Sequence, residues 1–169
     1  INSTVSANTT SGFSIVKYTG NGSSSATVGH GLNSAVKMVI CKDLTNGEGW
    51  KVWHTDMTAG YTMSLHTTTA QNTNPNRLAS ANATTFTTAG TYSVNESGEN
   101  YIAYCFADVQ GYSKFGSFIG NANADGTFVY TGFKPTWILL RNRDSAQDWQ
   151  IYTWDMQSYN EFCTTSAGR

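Results

Sequence analysis

The chain has 169 residues and a mass of 18.4 kDa, and its 10 Lys and Arg nearly balance 11 Asp and Glu. A charged fraction of 12%, about half the usual share, excludes a nucleic-acid binder held by clustered phosphate contacts. Its 5 Trp, 9 Tyr and 8 Phe exclude a disordered tail, and the longest aliphatic or aromatic run, Trp137–Leu140, cannot span a bilayer.

Thr (24), Ser (17), Asn (15) and Gly (16) dominate, while Leu occurs only 6 times. Thr and aromatic residues suit pleated surfaces, whereas Gly, Asn and Ser suit turns. Good helix formers are scarce, so the composition predicts an all-β chain of antiparallel, sandwich-like units. The chain opens at Ile1 rather than Met and carries no signal peptide, so it reads as a processed product or a piece of a longer protein. Residues 1–11 read as a linker or edge segment. Alternation then predicts strands over 13–19, 26–29, 36–42, 49–55, 61–66, 84–87 and 101–109. Further strands are expected over 113–119, 127–130, 136–142, 148–154 and 160–165. Turn signals separate them at Gly20-Asn21-Gly22, Asn46-Gly47, Asn74-Pro75-Asn76, Ser97-Gly98 and Asp125-Gly126.

A self-similarity at a spacing of about 99 residues organises this list. Trp50-x-Val52-Trp53-x-x-Asp56-Met57 is matched by Trp149-x-Ile151-Tyr152-x-x-Asp155-Met156. Upstream, Met38–Lys42 corresponds to Trp137–Arg141, Tyr18–Asn21 to Phe118–Asn121, and Gly31-Leu32 to Gly132-Phe133. The first unit then covers 12–110 and the second, incomplete unit 111–169, with the two free to pack as one domain. The second contains no counterpart of Tyr101–Phe106. Its segment 157–165 holds one charge and no proline, so it reads as an unprotected sheet edge open to a symmetric oligomer or to a continuation of the chain.

The chemistry-bearing residues are sparse. His30, between Gly29 and Gly31, reads as part of a tight turn rather than as a catalytic base, since the repeat replaces it near Thr131. His54 corresponds to Thr153, and three scattered histidines with His66 do not give zinc-ligand spacing, so no metal and no cofactor is expected. Asp56 and Asp155 survive the repeat, and with Trp50 and Trp149 they read as structural anchors: carboxylates at a strand-end turn and indoles in the core. A glycan hydrolase needs two carboxylates about 5–10 Å apart, and Asp56 with Asp108, or Asp144 with Asp148, are arbitrary nominees. Trp53, Tyr152 and Trp154 fall on the opposite strand face from the anchors. There they form a candidate aromatic surface for stacking on sugar rings or on a neighbouring chain, or they are covered by other sheets. Cys41 and Cys105 read as buried strand residues, and with Cys163 they give no paired framework. Five Asn-x-Ser/Thr sequons, at Asn2, Asn8, Asn21, Asn82 and Asn95, are about what the Ser and Thr content yields by chance.

Several segments together carry a family resemblance: Gly12–Gly22, Val28–Leu32, Tyr101–Ala107, Gly111–Ser117 and Asp125–Pro135. Over essentially its whole length the chain resembles a repeated β-domain family of tailed-phage, largely marine phage, virion and tail-fibre-like proteins. The resemblance implies a non-enzymatic structural or adhesion module of a tail fibre or other appendage, located in the virion. Implied partners are copies of the chain, other virion proteins and host-surface glycans, without nucleic acid or membrane insertion. A lectin-like carbohydrate-binding module is the alternative, and a glycan-degrading enzyme ranks last.

Overall fold

The computed structural model describes residues 1–154 and the backbone of Glu161–Phe162. All regular structure among them is antiparallel β: β1 (Ser3–Asn8), β2 (Phe13–Thr19), β3 (Ser25–Gly29), β4 (Val36–Asp43), β5 (Lys51–His54), β6 (Tyr61–Ser64), β7 (Asn72–Thr73), β8 (Arg77–Ala81), β9 (Thr85–Ala89), β10 (Asn100–Ala107), β11 (Trp137–Leu140), β12 (Gln150–Thr153) and β13 (Glu161–Phe162). The largest sheet runs β1-β2-β10-β4-β5-β6-β7, a second runs β3-β9-β8, and a third runs β11-β12-β13.

Side-chain alternation explains how the first two sheets close on each other. In β2, Ser14, Val16 and Tyr18 are buried between exposed or half-buried neighbours, and in β10 Tyr101, Ala103, Cys105 and Ala107 are buried in turn. Strand β10 lies between β2 and β4, opposing Ala103 to Val16 and Cys41, and Cys105 to Ser14 and Val39. A register shift between Phe106 and Ala107 turns Val36 inward as well. Across from this face, Val28, Leu78 and Phe86 of the β3-β9-β8 sheet complete the principal core. Tyr18 stacks on Tyr101 at 5.1 Å, meets Phe86 edge-on at 5.8 Å, and donates its hydroxyl to the Val94 carbonyl at 2.7 Å. The chain makes a close turn after β2. A Cβ at Gly20 would stand 2.1 Å from the Glu96 carbonyl oxygen, so only glycine fits there.

Asn95 and His30 are satisfied locally inside this core, whereas Asp43 keeps one buried carboxylate oxygen without a hydrogen-bond partner. Asn95 is fully buried, donating to Asn21 Oδ1 and the Ser23 carbonyl and accepting from the Asn21 amide, so its sequon is closed to modification in the folded chain. His30 is buried with Nδ1 accepting from the Leu32 amide, which leaves Nε2 to donate to the Asn82 carbonyl at 3.2 Å. This is a structural histidine. Cys41 and Cys105 are buried free thiols, and burial pushes both up to about 12.

A smaller cluster lies on the outer face of the large sheet. Met38 of β4, Val52 of β5 and Met63 of β6 pack with Trp149, and Ile40, Phe106, Phe115 and Leu139 lie against them. Trp149 Nε1 donates to the Ser64 carbonyl at 3.1 Å, and Arg141 Nη2 donates to the Thr69 carbonyl at 2.8 Å. Gln71 ties the same halves together, its amide donating to the Arg143 carbonyl and its side chain to Asp144.

Of the two readings for residues 1–11, the structure has the edge segment: β1 pairs along β2 as the edge of the large sheet and the Ile1 nitrogen reaches the Thr27 carbonyl. Other expectations need correction. Strands β7 and β8 carry no alternating apolar signal. Residues 113–119 and 127–130 form no strands. Apart from a single bridge between Val109 and Ser113, they have no ladder partner, and side-chain turns hold them, as where Asn121 donates to the Asp125 carbonyl. The hairpin β11–β12 does reproduce β4–β5: Val39 opposes Trp53 as Ile138 opposes Tyr152, at an offset of 99 residues. The likeness stops at the third strand. Val52 opposes Met63, whereas Ile151 opposes Glu161.

Candidate functional site

The residues singled out from sequence separate into two environments. Trp53 does not face solvent: its strand partner Val39 lies in the principal core, and Trp53 packs half-buried against that core. Trp50 precedes β5 and is half-buried, stacked on Tyr104 at 6.1 Å. Trp149 is 3% exposed, so the two indoles are unequal anchors. Asp56 sits in the turn after β5, where its amide donates to His54 Nδ1 and its carbonyl accepts from Arg143 Nη1. The imidazole, not the carboxylate, therefore caps that turn. Asp155 lies outside the described residues, as do Cys163 and all of the 157–165 edge except Glu161–Phe162, which pair with β12.

Tyr152 and Trp154 do share one face of the β11–β12 hairpin with Ile138, because alternate residues point the same way and Tyr152 opposes Ile138. Trp154 is 68% exposed, and Lys134 Nζ lies 3.4 Å from its ring centroid, a cation–π contact that fixes the indole. Tyr152 is half-buried and donates its hydroxyl to Gln150 Oε1 at 2.9 Å. The large exposed side chains concentrate in this half: Tyr112, Phe118, Ile119, Phe128, Tyr130 and Trp137 each expose half or more of their surface. Monomers rarely leave so many apolar groups uncovered in one region, and larger patches mark interaction surfaces.

Beside them lies a cleft of about 370 Å³ whose lining includes Asp108, Gln110, Ser113, Lys114, Tyr130 and Thr131. Lys114 Nζ pairs with Asp108 Oδ2 at 2.8 Å, and Asp108 Oδ1 accepts from the Phe115 amide. The hydrogen bond and charge of Asp108 hold the Lys114 ammonium above its ordinary value. The Tyr130 ring is 79% exposed beside these amide, hydroxyl and charged groups. Sequence reasoning missed this cleft because its residues come from two loops far apart in the chain. The exposed Tyr130 in Asp125–Pro135 was the only signal. Asp108 and Asp144, nominated as carboxylate partners, are both engaged: Asp108 with Lys114, and Asp144 with Gln71 Nε2 at 3.0 Å. Among the described residues no group of three or more His, Cys, Asp and Glu could hold a metal ion, and no helix is long and apolar enough to cross a membrane.

These features define an all-β, sandwich-like module whose second half presents an exposed aromatic surface. A family model, a domain of unknown function (DUF7483), matches residues 1–167, and the chain belongs to that family. No curated protein and no solved structure matches it.

Proposed function

We propose that the chain is a non-enzymatic structural and adhesion module of a phage virion, belonging to a tail fibre or other appendage. The observation that carries the reading is the apolar and aromatic surface of residues 112–154, set on a module whose first half buries its own core. Few charges and many hydroxyls and amides suit a part that is assembled in the host cytoplasm and then displayed outside the cell. The partners are copies of the chain or other virion proteins. Host-surface glycans are the second reading, favoured by Tyr130 above the Asp108–Lys114 cleft and by the exposed Trp154. The test is antibody labelling of intact particles purified from a lysate that produces the chain. Label on the tail or its appendages supports the proposal. Recovery of the chain only in the particle-free fraction refutes it.

A further inference from the structure

The two similar hairpins pack back to back. Leu139 of β11 packs against the cluster of Trp149 with Met38, Val52 and Met63 on the outer face of β4–β6. The opposite face of β11–β12, with Ile138 39% exposed and Leu140 and Tyr152 half-buried, is therefore the counterpart of Val39, Cys41 and Trp53, the face that builds the principal core. In the first half, β10 runs along the other edge of β4 and sets Cys105 opposite Val39. Strand β11 ends its sheet, and its corresponding edge pairs with no strand among the described residues.

Burial at matched positions follows the same difference. Tyr18 is 2% exposed and stacked on Tyr101, whereas Phe118 is 50% exposed. Val28 and Val39 are fully buried, whereas Val129 and Ile138 are 46% and 39% exposed. Gly20 is crowded by the Glu96 carbonyl from the segment leading into β10, while a Cβ at Gly120 would meet nothing within 4 Å.

We propose that the free edge of β11, with the Ile138 face beside it, is a docking groove for one extended segment of β10 chemistry. Its occupant is a neutral strand that pairs antiparallel with β11 and alternates Tyr, Ala and Cys-sized residues inward, as Tyr101, Ala103 and Cys105 do. Backbone hydrogen bonds along the edge give affinity, and the inward side chains give specificity. Trp137–Leu140 carries no charge, so a strand bringing Lys or Glu inward would bury it unpaired. The inference stands apart from the virion reading, since it concerns only what pairs with this strand edge.

The test titrates a synthetic peptide of residues 99–108, carrying Cys105→Ser, into the full chain while Trp fluorescence and melting temperature are followed. Saturable one-to-one binding with a raised melting temperature is expected. The same peptide with Ala103→Pro loses a ladder donor and does not bind. Ile138→Lys in the protein leaves its own melting nearly unchanged and weakens the peptide at least about tenfold. No binding to a folded monomer overturns the proposal. A native dimer that Ile138→Lys splits overturns it too, because a second copy then occupies the edge.

Discussion

Replacing Tyr18 and Phe118 by alanine in turn contrasts the two halves of the chain at positions that the sequence self-similarity aligns. Tyr18 is 2% exposed, stacked on Tyr101, edge-on to Phe86, and bonded to the Val94 carbonyl at 2.7 Å. Tyr18→Ala removes the ring burial, leaves a cavity and orphans a carbonyl, so it destabilises by about 3–5 kcal/mol. That is a fifth or more of the roughly 5–15 kcal/mol that holds a domain together. Phe118 keeps half its surface in water, and Phe118→Ala destabilises by under about 1 kcal/mol. Urea unfolding followed by far-ultraviolet circular dichroism reads both, with Tyr18→Phe as an intermediate step of about 1 kcal/mol for the lost hydroxyl bond. Equal shifts in midpoint for Tyr18→Ala and Phe118→Ala would refute the assignment of a closed core to one half and an open face to the other.

Three further outcomes follow from single sites. Gly20→Ala drives a Cβ into the Glu96 carbonyl and destabilises by about 2 kcal/mol, whereas Gly120→Ala changes the unfolding midpoint little. Burial holds the His30 and His54 imidazoles below their ordinary value of 6.5, so the unfolded chain takes up protons first as pH falls. Melting temperature therefore declines as pH drops through about 6.5 and the decline from these groups levels off below the folded-state values; a rise over that interval contradicts the sign, and His30→Gln removes part of the slope. With Cys163→Ser in place, native protein leaves Cys41 and Cys105 unreactive toward a thiol reagent at pH 8, and urea exposes both; rapid native labelling would contradict their burial.

Much of the first half was legible because its strands alternate. Phe13–Thr19 and Asn100–Ala107 carry the period of two plainly, Val36–Asp43 carries it from Val39 onward, and each is a strand at nearly the expected bounds. Arg77–Ala81 escaped notice because its only fully buried residue is Leu78, and the β-bulge between Leu78 and Ser80 breaks the period. Side chains alone predict strands over 113–119 and 127–130, yet a strand also needs a neighbour for its backbone groups, and beyond the Val109–Ser113 bridge those segments have none among the described residues. Trp53 illustrates a second limit. Period two puts it on the face opposite Val52, but only the packing of the two sheets brings its ring against the principal core, while the matching Tyr152 is half-buried outside that core. The cleft at Asp108 and Tyr130 depends on loop packing, which leaves no periodic signal.

Hydrogen exchange measured by mass spectrometry on the intact chain reaches the central claim most directly: a closed sandwich in the first half and an uncovered apolar face in the second. The amides of β2, β4 and β10 should exchange only through global unfolding, while those of residues 112–136 should exchange orders of magnitude faster. Protection over 112–136 equal to that of β10 would contradict the account.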